Sequence, residues 1–203
     1  MIARMLLGVA AATMLMATPA RAQLAPEWPS CVELRFTPDE RVRSCTVLIK
    51  SGREAPKNLA AAYSNRGNAY AAKGDLDRAI ADHSAAIRIN TDFANAYLNR
   101  GSAYFRKGDF DRAIADGNEA IRLASRLGMT GTLIVAYENR GIALRNKGDQ
   151  DRAIADFNKA ISLNPRDAVA YFNRGLSRQA KGDKAGREAD IATARQLHPG
   201  IGQ

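Results

Sequence analysis

Four asparagines occur in one repeated pentad, Tyr-x-Asn-Arg-Gly, and their side chains have the chemistry needed to bind another polypeptide. They are Asn65, Asn99, Asn139 and Asn173. An amide side chain carries both a hydrogen-bond donor and an acceptor, so it can bind the backbone of an extended peptide whatever the peptide's own side chains are. The alternative interpretation is a row of solvated amides in a recurring helix motif.

The position of each asparagine relative to the glycine of its pentad indicates which face of a helix it occupies. At about 100° per residue, Asn65 lies about 200° around a helix from Gly67, so it points away from a helix packed against that glycine. The same face carries further amides, arginines and aromatic rings: Asn68, Asn95, Phe105, Arg106, Glu138, Arg145, Asn146, Phe172 and Gln179. This mixture suits a peptide better than a lipid. We predict a peptide-binding groove formed by Asn65, Asn68, Asn99, Arg106, Asn139, Arg145 and Asn173.

The arginine that follows each asparagine has a different expected role. Because it adjoins the glycine, it points between two paired helices, where an aspartate on the second helix faces it. A half-buried aspartate without a partner would cost about 3–5 kcal/mol, so the two residues must occur together. We predict structural pairs, formed within a repeat or with its neighbour: Arg66–Asp82, Arg100–Asp116, Arg140–Asp156 and Arg174–Asp190.

The residues needed for catalysis or metal binding are scarce. The two histidines, His83 and His198, lie far apart in the sequence, and neither cysteine has a histidine or a second cysteine pair at ligand spacing. No glycine-rich phosphate loop, His-Glu-x-x-His motif or Gly-x-Ser-x-Gly motif occurs. We therefore expect no catalytic residues, no metal site and no cofactor, and His83 is expected to be a packing residue between helices.

The asparagines and arginines belong to a longer repeat. Each pentad is followed by a Lys-Gly-Asp triplet, and the pentad glycines are 34, 40 and 34 residues apart. A period of this length is typical of stacked supersecondary units. In the first unit, a helix that begins at Pro56 is expected to end at Gly74, and Asp75 caps a second helix that ends near residue 90. Gly67 is expected to let the two backbones approach closely, opposite Ala79 and Ala86.

These features resemble the tetratricopeptide repeat (TPR) family, in an exported bacterial form. The resemblance depends on the Tyr/Gly/Tyr spacing of the first helices, on Ala79 and Ala86, and on Pro165 and Pro199 at the ends of the last two units. It implies an all-α fold, a right-handed α-solenoid of four antiparallel helix pairs with an N-terminal capping helix. The repeats would occupy about 60–93, 94–127, 134–167 and 168–201. In such families, asparagines at this place hold the backbone of an extended peptide.

The sequence departs from the family pattern in several places. Large aromatic residues are replaced by His83 and Gly117 but kept at Phe157, and the residues at Leu144, Arg178 and Arg187 are also atypical. TPR domains that clamp a C-terminal carboxylate use lysines beside the asparagines. Ser64, Leu98 and Phe172 stand in those places here, so a dedicated carboxylate clamp is not expected.

The wider central spacing indicates an insertion at about 125–132. It is expected to be either a loop without further consequence or an extension of the preceding helix that turns at Gly128 and Gly131. In the second case Met129 or Leu133 would fill the space left by Gly117.

The N-terminus has the pattern of a secretory signal peptide at 1–22. Arg4 precedes an apolar run, and Ala20-Arg21-Ala22 is a small-x-small cleavage site. An uncleaved N-terminal anchor is the alternative. Residues 23–54 are expected to contain an extended segment followed by a capping helix that begins at Thr37-Pro38-Asp39-Glu40.

Cys31 and Cys45 both lie in this N-terminal unit. An exported chain with an even number of cysteines is expected to oxidise them, so we predict a Cys31–Cys45 disulfide. Two buried free thiols are the alternative.

The charge balance is basic. The 30 Lys and Arg residues fall to 28 without the signal segment, against 21 Asp and Glu, which leaves a net charge of +7. Export makes nucleic acid an unexpected partner. We therefore predict a non-enzymatic, periplasmic or secreted scaffold that binds a protein or peptide in its groove. The alternatives are an electrostatic binder of anionic envelope polymer or lipid headgroups, or a basic surface that serves solubility alone. Partner identity and oligomeric state do not follow from the sequence.

Overall fold

The computed structural model describes residues 25–202, and the ordered elements in this range are all α-helices. The all-α prediction is therefore confirmed. The helices are α1 (Trp28–Val32), α2 (Pro38–Ser51), α3 (Pro56–Ala72), α4 (Leu76–Ile89), α5 (Ala94–Arg106), α6 (Phe110–Arg126), α7 (Thr130–Lys147), α8 (Gln150–Leu163), α9 (Ala168–Ala180) and α10 (Lys184–Leu197).

Consecutive helices pack as antiparallel pairs, α3 with α4, α5 with α6, α7 with α8 and α9 with α10, and the pairs stack into a right-handed solenoid. The second helix of each pair begins at an aspartate whose carboxylate accepts a hydrogen bond from the backbone N–H three residues later. These N-caps are Asp75, Asp109, Asp149 and Asp183. The predicted helix starts depend on this capping, which satisfies N–H groups that have no partner inside the helix.

The pentad glycines allow close packing, but against different residues from those expected. A Cβ atom at Gly67 would lie 2.8 Å from the His83 ring, and one at Gly141 would lie 2.8 Å from the Phe157 ring. The atoms nearest to such a Cβ at Gly67 therefore belong to the His83 ring rather than to the expected Ala79 or Ala86. At Gly67 and Gly141 the glycine therefore makes room for the ring sixteen residues later, whereas a Cβ atom at Gly101 would lie 3.2 Å from Asp116 Cβ and 3.3 Å from the Ala113 carbonyl oxygen.

The insertion is mainly helical. Relative to the other pairs, α6 continues to Arg126 and α7 begins earlier, at Thr130, with a turn at Gly128 (φ +66°) between them. The loop alternative is therefore wrong, and the helix extension is right. Gly131 does not turn the chain, because it lies inside α7.

The N-terminal unit contains a short helix where an extended segment was expected. Helix α1 buries Trp28 against α2, and the predicted Cys31–Cys45 disulfide is confirmed. Helix α2 has the predicted capping box between Thr37 and Glu40.

The predicted signal peptide at 1–22 lies outside the described residues. Of the helices within 25–202, none is both long and apolar enough to cross a membrane.

Candidate functional site

The sides of α3, α5, α7 and α9 that face away from the second helices form a continuous surface, here called the first-helix face. Neighbouring first helices are joined across it by polar contacts. Arg106 Nη1 of α5 donates to the Ala71 carbonyl of α3 at 2.8 Å, and Thr132 Oγ1 of α7 donates to Asn95 Oδ1 of α5 at 3.0 Å. These contacts fix the spacing of the helices that carry the candidate binding residues.

Three asparagines of the pentads lie on this face with available amides. The side chains of Asn65, Asn99 and Asn139 are half-buried, and none of them makes a hydrogen bond within residues 25–202. Asn68, one turn after Asn65, is likewise half-buried and makes no hydrogen bond within this range. Their donors and acceptors are therefore free to bind a ligand, which is the chemistry that the sequence pattern suggested.

Asn173 differs from the other three. Asn173 is only 8% exposed. Its Oδ1 accepts a hydrogen bond from Arg145 Nη1 at 2.9 Å, and its Nδ2 donates one to the Val169 carbonyl at 2.9 Å. Asn173 and Arg145 were both predicted to be groove residues, but their polar atoms bind each other. The row of available amides therefore has three members, because among the described residues Arg145 alone is an arginine that donates to the asparagine of the next pentad.

Four arginine–aspartate pairs lie between the first and second helices. In each pair the arginine Nε and Nη2 donate to the two carboxylate oxygens at 2.6–2.9 Å. The pairs are Arg66–Asp82, Arg100–Asp116, Arg140–Asp156 and Arg174–Asp190. The aspartates are 3–6% exposed. Hydrogen bonding to the carboxylate raises the pKa of Arg66, Arg100 and Arg140, so these arginines remain protonated.

Each of these arginines also contacts the preceding layer of the solenoid. The Nη1 atoms donate to one side chain of the preceding second helix: Thr46, Ser84, Asn118 or Asn158. Each guanidinium also lies within 6 Å of the tyrosine ring of its own pentad. The Arg of the pentad is therefore a structural residue that joins three helices, while the Asn beside it lies on the first-helix face.

Helix α2 takes part in this pattern as if it were the second helix of a preceding repeat. Thr46 accepts from Arg66 as Ser84 accepts from Arg100, and Asp39 pairs with Lys73 as Asp77 pairs with Lys107. The sequence predicted α2 only as a capping helix. A sequence signal for this equivalence exists: Asp39 follows the N-cap Thr37 by two residues, just as Asp77 follows the N-cap Asp75.

A cavity of about 290 Å³ lies between the second and third repeats, and the sequence analysis did not predict it. It is lined by Leu98, Gly101, Ser102, Phe105, Arg106, Ala113, Gly117, Asn139 and Ile142. The lining is mainly apolar. Ser102 and Arg106 are exposed, so the cavity reaches the first-helix face.

Burial shifts the pKa values of two further groups, Glu138 of α7 and His83 of α4. Burial, the nearby charge of Asp167 and a hydrogen bond with Asp167 together raise the pKa of Glu138 to about 7. Burial, together with the charge of Arg100, lowers the pKa of His83 to about 4, so His83 is neutral at pH 7. Both ring nitrogens of His83 are buried without a hydrogen-bond partner.

Among the described residues, no group of three or more His, Cys, Asp or Glu side chains could hold a metal ion.

Comparison with family models gives three overlapping matches. A TPR repeat model matches residues 67–108, and two tetratricopeptide repeat models match residues 92–166 and 138–200. Together the three ranges run from 67 to 200, about two thirds of the chain. Comparison with curated protein sequences finds no match.

Solved structures of repeat proteins are similar to the chain. MamA is 25% identical with a TM-score of 0.69, over 80% of this chain and 89% of MamA. The first TPR domain of Spaghetti (RPAP3), bound to the HSP90 peptide SRMEEVD, is 27% identical with a TM-score of 0.56, over 61% of this chain and 93% of that domain. The Arabidopsis OM64 TPR domain has the same fold, with 24% identity and a TM-score of 0.57, over 62% of this chain and 98% of that domain.

Proposed function

Since the chain belongs to the tetratricopeptide repeat family, we propose that it is a non-enzymatic scaffold that binds an extended segment of another protein on its first-helix face. One similar domain binds a peptide, the HSP90 segment SRMEEVD. The observation that carries the proposal is the row of half-buried amides of Asn65, Asn99 and Asn139, which have no partner among the described residues. Unpaired amides on adjacent helices can bind successive peptide groups of an extended backbone.

The electrostatics of the groove differ from a site dedicated to carboxylates. Ser64, Leu98 and Phe172 flank the asparagines, so the lysines of a carboxylate clamp are absent. Arg106 provides one exposed positive charge, whereas Arg145 is committed to Asn173. Recognition by this face therefore depends on backbone hydrogen bonds and on apolar contacts more than on ligand charge.

We place the scaffold in the cell envelope or outside the cell. The signal-peptide pattern at 1–22 motivates this location, and the Cys31–Cys45 disulfide is consistent with an oxidising compartment. The partner is then an exported protein or peptide rather than nucleic acid.

The test is selection of binding peptides from a random twelve-residue display library with the full chain. Enriched peptides are then synthesised, and their dissociation constants are measured by fluorescence anisotropy. The Asn65→Ala/Asn99→Ala variant should weaken these peptides at least tenfold, since it removes two adjacent backbone contacts. The matched control is Ser125→Ala/Gln196→Ala, in which both residues are exposed on second helices, and it should bind like the unmodified chain. Equal binding by the two double variants would overturn the proposal.

Salt separates this function from electrostatic binding of an anionic polymer or lipid headgroups. The lysines of the four Lys-Gly-Asp triplets are paired with aspartates of the preceding layer: Lys73–Asp39, Lys107–Asp77, Lys147–Asp111 and Lys181–Asp151. Much of the basic surface is thus neutralised internally. Peptide affinity should change little between 50 and 500 mM salt, by about as much as the screening of one charge pair would change it. A steep loss of affinity over this range would favour binding of an anionic polymer.

A further inference from the structure

The four repeats differ at one equivalent position of the second helix. The residue sixteen positions after the pentad glycine is His83, Gly117, Phe157 or Ile191. His83 and Phe157 are fully buried, and Ile191 is 8% exposed, so in three repeats a side chain fills the space beside the glycine. In the second repeat Gly117 provides no side chain, and the cavity of about 290 Å³ lies there.

The chain does not fill this space from elsewhere. Neither Met129 nor Leu133 of the insertion lines the cavity, although the sequence suggested both as fillers. A Cβ atom on residue 117 would lie 3.0 Å from Arg140 Cβ, and Arg140 is held by two hydrogen bonds to Asp156. A larger residue at 117 would therefore push against a fixed arginine, which keeps this position small and the cavity open.

The position of the cavity relates it to the amides of the groove. Asn139 is part of the lining, and Leu98, the neighbour of Asn99 in the chain, forms another part. A peptide backbone that binds the Asn99 and Asn139 amides would therefore cross the mouth of the cavity between them. One side chain of that peptide would point inward.

We propose that this cavity is a specificity pocket for one aromatic side chain of the bound peptide. The inference rests on the proposed function, since it assumes a peptide on the first-helix face. An apolar cavity of about 150 Å³ is large enough to bind benzene, so about 290 Å³ admits a phenyl or larger ring. Phe105 offers an edge or a face to such a ring. The exposed Arg106 guanidinium, which donates to the Ala71 carbonyl in this structure, can turn over the ring when it gives up that hydrogen bond. An aliphatic side chain would fit the volume but would gain neither contact.

The test uses capped single residues, so that the pocket is examined without the rest of a peptide. The ¹⁵N-labelled full chain is titrated with N-acetyl-phenylalaninamide, and the chemical shifts of the backbone amides are followed. We expect millimolar binding with shifts concentrated in α5, α6 and α7 around Gly117. N-acetyl-leucinamide should bind at least threefold more weakly, and N-acetyl-alaninamide should cause no saturable shift.

Ser102→Phe places a ring in the pocket from the exposed rim, and Ser102→Ala is its matched control. The first should weaken N-acetyl-phenylalaninamide at least tenfold, and the second should leave it unchanged. Leu98→Gln makes the pocket wall polar and should produce the same loss, which keeps the test decisive if Ser102→Phe lowers the unfolding temperature. Unchanged binding by a folded variant of either kind, or equal binding of the leucine compound, would overturn the inference.

The outcomes also separate this inference from the proposed function. Asn65 and Asn99 are not part of the pocket lining, so Asn65→Ala/Asn99→Ala should bind N-acetyl-phenylalaninamide normally while losing the selected peptides. Selected peptides that need the asparagines but contain no common aromatic residue would leave the proposed function intact and would refute the pocket. A pocket that binds the capped phenylalanine in a chain for which no peptide depends on the asparagines would refute the groove instead.

Discussion

Arg100 donates two parallel hydrogen bonds to Asp116, from Nε to Oδ2 at 2.8 Å and from Nη2 to Oδ1 at 2.7 Å. The remaining nitrogen, Nη1, donates to Ser84 of the preceding helix pair at 3.0 Å. Asp116 is 5% exposed, so its carboxylate depends on Arg100 for compensation of its charge. The same pairing in each repeat couples the packing within a repeat to the packing between repeats.

Arg100→Ala should therefore lower the free energy of unfolding by about 3–5 kcal/mol, because it leaves a buried carboxylate without a partner. The measurement is urea denaturation followed by far-UV circular dichroism. Arg122→Ala is the matched control in the same repeat, since Arg122 pairs with Glu119 in an exposed position. Its cost should be under about 1 kcal/mol. Equal denaturation midpoints for the two variants would contradict the structural role of Arg100.

His83→Phe should stabilise the chain. The His83 ring fills the same space beside Gly67 as the Phe157 ring fills beside Gly141, but its two nitrogens are buried without partners. Leaving such groups unpaired costs about 1–3 kcal/mol. At pH 7 the substitution should raise the midpoint of thermal unfolding by about 2–4 °C, as a gain of about 1 kcal/mol does in a chain of this size.

The pH dependence of the same variant provides an internal check. Because the folded pKa of His83 is lowered to about 4 from 6.5, the unfolded chain binds a proton more readily. The wild-type chain should therefore lose stability as the pH falls from 6.5 towards 4, and His83→Phe should lose less. A lower midpoint for His83→Phe at both ends of this range would show that the phenyl ring does not fit.

The Cys31–Cys45 disulfide closes a short loop that holds α1 on α2. Cys31→Ala/Cys45→Ala should cost about 3 kcal/mol, the expected entropy contribution of a loop of this length. Hydrogen exchange should show the loss first in α1 and α2, since repeat arrays unfold in neighbouring units. Ellman titration of the unreduced, denatured protein should find no free thiol. Two free thiols, or unchanged protection of α1, would count against the bridge as a stabilising element.

The sequence predicted the features that follow from helix periodicity. A spacing of sixteen residues with antiparallel helices is enough to place Arg66 opposite Asp82, and the N-cap at Asp75 follows from local chemistry. These features could therefore be predicted once the pattern was identified as a repeat.

The features that escaped prediction depend on differences between the repeats. Arg145 binds Asn173, whereas Asn139 stays unpaired because the residue that corresponds to Arg145 in the second repeat is Phe105, which has no donor. The space beside Gly101 stays open because Gly117 carries no side chain, and a Cβ atom there would lie 3.0 Å from Arg140 Cβ, an approach that the sequence does not show. Such contacts depend on how one repeat packs on the next, which periodicity alone does not specify.

Glu138→Gln should change the pH dependence of stability in the opposite direction from His83→Phe. Burial and Asp167 raise the folded pKa of Glu138 to about 7 from 4.5, so the folded chain holds a proton that the unfolded chain releases. The wild-type chain should therefore lose stability as the pH rises from 4.5 through 7, and at pH 8 Glu138→Gln should be more stable by about 1 kcal/mol, allowing for partial solvent exposure. Glu119→Gln, at an exposed carboxylate paired with Arg122, is the control and should not show this gain. Denaturation midpoints measured from pH 4.5 to 8 check both, and a Glu138→Gln curve that runs parallel to wild type would show that folding does not raise the pKa of Glu138.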